Sequence, residues 1–120
     1  MSATPPNTDP LKSIKETAAG INKQAAEATA EIRRVSQELR KAYVGVEVWL
    51  EEPLILDEGE YEYKLGYAKH ESGGWGLVMH EVSSDAEIAM LENAPRRVRI
   101  AAAPFIPALL KLIDEELKRQ

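Results

Sequence analysis

A chain of 120 residues, 44% hydrophobic and 29% charged, has the composition of one globular domain, long enough to bury about two-thirds of its unfolded surface. It contains no cysteine, which excludes disulfides and thiolate metal sites, and its net charge of −5 opposes a protein that coats nucleic acid. No stretch approaches the ~18 consecutive apolar residues of a membrane span, and the start, MSATPPNTDP, lacks the basic and apolar regions of a secretory signal, so the expected location is the cytoplasm.

Residues 1–8 are polar and proline-rich and are expected to form a disordered leader. Residues 9–43 then carry a heptad pattern. Leu11, Ile14, Ala18, Ile21, Ala25, Ala28, Ile32, Val35, Leu39 and Ala42 recur at alternating spacings of three and four. On an α-helix this draws a single apolar seam, the pattern of a helix that packs along another helix. Thr8 or Asp9 is placed to cap the first free amides, and Pro10 suits the first helical position. Such a helix is roughly 50 Å long at ~1.5 Å per residue, against a diameter of roughly 35 Å for a compact domain of this size. It therefore either projects and pairs with a second copy or bends, with Gly20 as the natural hinge. Alanines in the middle of the seam allow close backbone approach, but the flanking positions Lys15, Asn22, Thr29 and Ser36 against Thr17, Gln24, Glu31 and Glu38 lack the charge pairing of a strong zipper.

Past Tyr43 the period changes to two. Val44, Val46, Val48 and Leu50 alternate with Gly45, Glu47, Trp49 and Glu51, a strand with one buried face. Pro53 and Asp57-Glu58-Gly59 mark the turn region that ends it. Tyr61, Tyr63, Leu65 and Tyr67 alternate through a second strand, His70 to Gly74 form a hairpin loop, and Trp75, Leu77 and Met79 alternate through a third strand ending at Val82. Ser84-Asp85-Ala86-Glu87 has capping-box spacing and opens either a short helix ending near Asn93 or an irregular segment. From Pro95 the apolar residues form two neighbouring helical stripes, Val98, Ala102, Phe105, Leu109 and Leu112 beside Ile106, Leu110, Ile113 and Leu117. Pro104 and Pro107 each remove a backbone donor, which predicts a kink or break near Ala103. The expected fold is α+β: a long N-terminal helix, then within 44–120 a three-stranded antiparallel meander and a C-terminal helix packed on one sheet face.

Residues with chemistry are sparse. Two histidines, His70 and His80, do not make a zinc site without further ligands at set spacing. Ser72, Ser83 and Ser84 stand near them but in turns, where serine is common; Gly73-Gly74-Trp75-Gly76 lacks the lysine and following helix of a phosphate loop. No catalytic residue, metal or cofactor is expected.

Three surface candidates remain. Glu47, Glu51, Glu52, Asp57, Glu58, Glu60 and Glu62 form an acidic run without EF-hand spacing, which reads as a solvated edge or a patch for a basic protein. Arg33, Arg34, Arg40 and Lys41 near the end of the first helix, with Arg96, Arg97 and Arg99 at the start of the last, would form an anion-binding cluster if the helix ends met. Tyr61, Tyr63, Tyr67 and Trp75 read as cross-strand packing or as the wall of a peptide or ligand groove.

Together these features predict a non-enzymatic interaction or regulatory domain — adaptor, regulatory subunit or inhibitor — that self-associates or docks on a protein partner. The association seam is Leu11, Ile14, Ile21, Ile32, Val35 and Leu39. The alternatives are a nucleic-acid-associated regulator using the arginines and a small-ligand binder on the aromatic sheet face. No membrane partner is expected.

Overall fold

A computed structural model describes residues 9–71, 74–82 and 87–120. The polar leader 1–8, Ser72, Gly73 and most of the capping-box segment, Ser83 to Ala86, lie outside them. The chain runs α1 (Pro10–Lys41), β1 (Val48–Trp49), β2 (Leu54–Leu56), β3 (Tyr61–His70), β4 (Gly74–Glu81), β5 (Ala89–Met90), α2 (Arg96–Ala102) and α3 (Ile106–Arg119). The fold is α+β, with a long N-terminal helix, an antiparallel sheet and a C-terminal helical segment.

α1 begins where its signals place it. The Asp9 carboxylate accepts from the Leu11 amide (3.1 Å) and Pro10 takes the first helical position. The helix passes through Gly20 without interruption, so it projects rather than folding back there. No glycine stands at its C-terminus. Tyr43 takes the left-handed position itself (φ 56°), while its N–H donates to Arg40 O and that of Val44 to Leu39 O. This is a Schellman end, and the Val44 and Leu39 side chains both join the core beneath it. Left-handed backbone costs a non-glycine residue about 1 kcal/mol, and the Tyr43 side chain, 93% exposed, gains no packing in return. Tyr43→Gly is therefore expected to raise stability by about 0.5–1 kcal/mol, read as an upward shift of the urea midpoint.

The sheet has five strands rather than three, in the order β1-β3-β4-β5, with β2 also pairing β3. The difference at the first strand is a bulge. Trp49 pairs Gly66 and Leu54 pairs Tyr63, so the edge chain carries two more residues than its partner between those points. β1 and β2 are thus two parts of one interrupted edge strand, bent around Leu50 to Pro53. Pro53 lies outside the ladder, as a residue without an N–H must. β3 and β4 pair continuously from Tyr63–Glu81 to His70–Gly74, and Gly74 supplies the positive φ (72°) at the hairpin end. The fifth strand is the two residues of β5, where a helix or irregular segment was expected. One 3₁₀ turn, Leu91–Asn93, follows it.

The inner sheet face carries Tyr63, Leu65, Tyr67 and Leu77, all buried, against Ile32 and Val35 of α1, Val98 and Ala102 of α2, and Ile106, Leu109 and Ile113 of α3. Two polar groups fix this packing. Tyr67 Oη donates to Val44 O (2.6 Å), and burial pushes its phenol above the ordinary range. Ser36, the buried polar residue of α1, accepts from the Leu77 amide (3.0 Å). β5 pairs only with Val78 and Met79, so Ser36 satisfies a β4 amide just past the end of that ladder. The helical break falls as the prolines predict, with α2 and α3 joined by a 3₁₀ turn at Ala103–Phe105.

Candidate functional site

The seam of α1 divides into two halves with different surroundings. Ala25, Ala28, Ile32 and Val35 are buried, and Leu39 is half-buried at the core margin. N-terminal to them Ile21 is half-buried, and residues 10–20 are exposed throughout, with Leu11 at 58% and Ile14 at 63%. The molecule measures 72 × 30 × 25 Å, and its radius of gyration is 18.1 Å, where a compact chain of this length has ~14 Å. One apolar line thus begins on an open helix and ends in the core.

The arginines do not come together as one patch. α2 meets α1 near the middle of the long helix, not at its C-terminal end. Arg96 Nη1 donates to Asn22 Oδ1 (2.9 Å), and Arg99 donates to Thr29 Oγ1 (2.5 Å) and Ala94 O (3.0 Å). Arg97 points elsewhere, pairing with Asp57 and lying over the Tyr61 ring at 4.7 Å. Arg34 pairs with Glu31 on its own helix, and Arg33 and Arg40 are exposed. These links tie α2 to α1 and to the Asp57–Gly59 turn, which turns the expected anion-binding cluster largely into structural cross-bracing.

The aromatic row faces inward. Tyr63 and Tyr67 are buried, Trp75 stacks on Tyr67 with ring centroids 5.4 Å apart, and Tyr61 is half-covered beneath Arg97. Four alternating aromatics on one face of a strand pair are core here because α1 and α3 cover that face. The expected aromatic ligand surface is not formed by them.

The opposite face of the sheet carries the concavity. Strand alternation puts Trp49 on β1, Lys64, Gly66, Ala68 and His70 on β3, and Val78 and His80 on β4 on this side. The small residues of β3 make room, and the Trp49 indole lies directly over Gly66. Ala68, Val78 and Met90 form a second buried cluster, flanked by Trp49 and Ile88. The β3–β4 ribbon also coils over this face. Ala89 sits level with Leu65 across β4, and His70 is five residues further along β3, ~17 Å in a flat strand. Yet His70 Nε2 donates to Ile88 O (2.9 Å), so the far end of the ribbon curls back toward β5. The carbonyl accepts only, which sets the proton on Nε2.

The curl encloses a groove of about 830 Å³ with Trp49 and Ile88 as apolar walls and Lys64, His70 and His80 among its polar groups. Glu47 also lines it and accepts from Trp49 Nε1 (3.0 Å), holding the indole in place. Lys69, Glu71 and Glu87, all exposed, line it as well. His80 Nδ1 is buried and has no hydrogen-bond partner among the described residues. A buried N–H without an acceptor costs more than an idle acceptor, so the proton belongs on Nε2.

The remaining acidic residues are spread along the β1–β2 edge and the turn after it, and the described residues contain no cluster of three or more ligands suited to a metal ion. No described helix is long and apolar enough to cross a membrane. The chain matches no protein-family model, no curated protein and no solved structure. The groove escaped the sequence reading because its residues belong to the polar side of the alternation. The available signal was that His70 and His80 fall on the same side as Gly66, Ala68 and Gly76.

Proposed function

We propose that this protein is a non-enzymatic interaction module that pairs with a second copy of itself through the projecting half of α1. The observation that carries this reading is the exposure of Leu11 and Ile14 on the same line of residues that is buried from Ala25 onward. A helix whose only role is to cover the sheet has no use for apolar residues at heptad spacing several turns beyond the last contact. Ala18, on the seam in the exposed stretch, lets two backbones approach closely. Residues 10–24 span about two heptads, or roughly 22 Å of helix, so the pairing is weak and concentration-dependent, as suits a regulatory or adaptor element.

The test is absolute mass by light scattering over a concentration series. The native chain is expected to rise above its monomer mass of 13.3 kDa, and the Leu11→Ser/Ile14→Ser variant to stay at it with an unchanged urea midpoint. A native chain that stays monomeric throughout rejects self-association through this helix.

A further inference from the structure

The groove on the outer sheet face has the features of a ligand site, independent of how α1 is used. Its volume, about 830 Å³, is that of a small-molecule pocket. It combines a large flat apolar wall with a few convergent donors, the arrangement that fixes one orientation of a ligand. The donors are specific. Lys64 and His80 are direct cross-strand partners, with Cβ atoms about 5 Å apart by sheet geometry. Lysine brings an ammonium, and the Nε2–H tautomer of His80 brings a second donor. Glu47, an exposed carboxylate that also lines the groove, is engaged by the Trp49 indole N–H.

We propose that the groove binds a small aromatic carboxylic acid, its carboxylate between Lys64 and His80 and its ring against Trp49. Glu71 and Glu87 also line the groove and, with Glu47, offset its two lysines, Lys64 and Lys69, so a ligand with one negative charge is favoured over one with two. A phosphate dianion or a nucleic-acid backbone is disfavoured for the same reason. The apolar stretch from Trp49 to Ile88 takes a ring system of one or two fused rings, and the pinned indole offers it a stacking surface already in place.

The probe is 1-naphthoate, with 1-naphthalenemethanol as its neutral isostere, titrated into the full chain by calorimetry and by amide and indole NMR shifts. Naphthoate is expected to saturate one site, shifting Trp49 Nε1–H and the amides of Lys64 and His80 while leaving the Trp75 indole on the other face unmoved. The alcohol is expected to bind about tenfold more weakly, the worth of one charge-assisted hydrogen bond. Lys64→Met, at an exposed position, removes that difference. Absence of saturable binding, equal affinity of acid and alcohol for the native chain, or shifts confined to the inner face or to α1 each overturn the proposal. The acid–alcohol comparison uses only native protein, so it stands whether or not the variant folds.

Discussion

Ile32→Ala is expected to cost about 2–4 kcal/mol, and Leu11→Ala, on the same seam, less than about 0.5 kcal/mol. Ile32 is fully buried between α1 and the sheet, so truncation removes its transfer energy and leaves a cavity that the surrounding strand and helix side chains cannot close. Leu11 is 58% exposed, and it is no part of the core formed by the described residues. Typical domains hold only ~5–15 kcal/mol in total. At a urea dependence of ~1–3 kcal/mol per molar, the Ile32 variant should therefore lose about 0.7–4 M in its unfolding midpoint. The measurement is a pair of urea titrations at low and high protein concentration. At low concentration the difference between the two sites reports the monomer. If Leu11→Ala becomes costly only at high concentration, the lost energy is that of an interface between copies, since a contact within one chain has no concentration dependence.

That contrast also marks how far the sequence could be read. Heptad spacing identifies which side of α1 is apolar but says nothing about what covers it, and Leu11 and Ile32 look alike until the length of the sheet is known. The strongest local signals held. Asp9 and Pro10 start α1, the second and third period-two runs became β3 and β4, and Pro104 separates α2 from α3. The first period-two run, Val44 to Leu50, forms a strand only at Val48–Trp49, and the elements missed outright were too short to show a period. Leu54-Ile55-Leu56 joins the sheet only because a bulge carries the edge chain past Pro53, and Ala89-Met90 only because the edge of β4 is there to pair with. The arginines were legible as charge but not as neighbours, because the crossing point of α2 on α1, at Asn22 and Thr29, is a tertiary fact. The groove was invisible for a related reason. It depends on the coiling of the β3–β4 ribbon, which brings His70 to Ile88.

Gly66→Ala tests both the edge strand and the groove. A Cβ at this position would stand 2.5 Å from Val48 O and 2.6 Å from Trp49 Cε3. The first neighbour is backbone held in register by the Val48–Tyr67 pairing, so it does not yield without loss of β1 from the sheet. The second is an indole tied to Glu47, and moving it uncovers Ala68 and Val78. Overpacking of this kind costs about 1–3 kcal/mol, and here two rigid neighbours are struck at once, which puts the expected loss near the upper end, about 3 kcal/mol. The urea midpoint falls accordingly, and Trp49 emission shifts to the red as the ring turns toward water. The displaced indole also removes the wall against which an aromatic ring would lie, so 1-naphthoate affinity falls with it, while the mass in solution is expected not to change, since the proposed pairing uses the exposed half of α1 and not this face. A variant with native stability and native Trp49 emission would mean that β1 slides freely along β3. In that case the indole would have no fixed place over Gly66, and the groove would have no fixed wall.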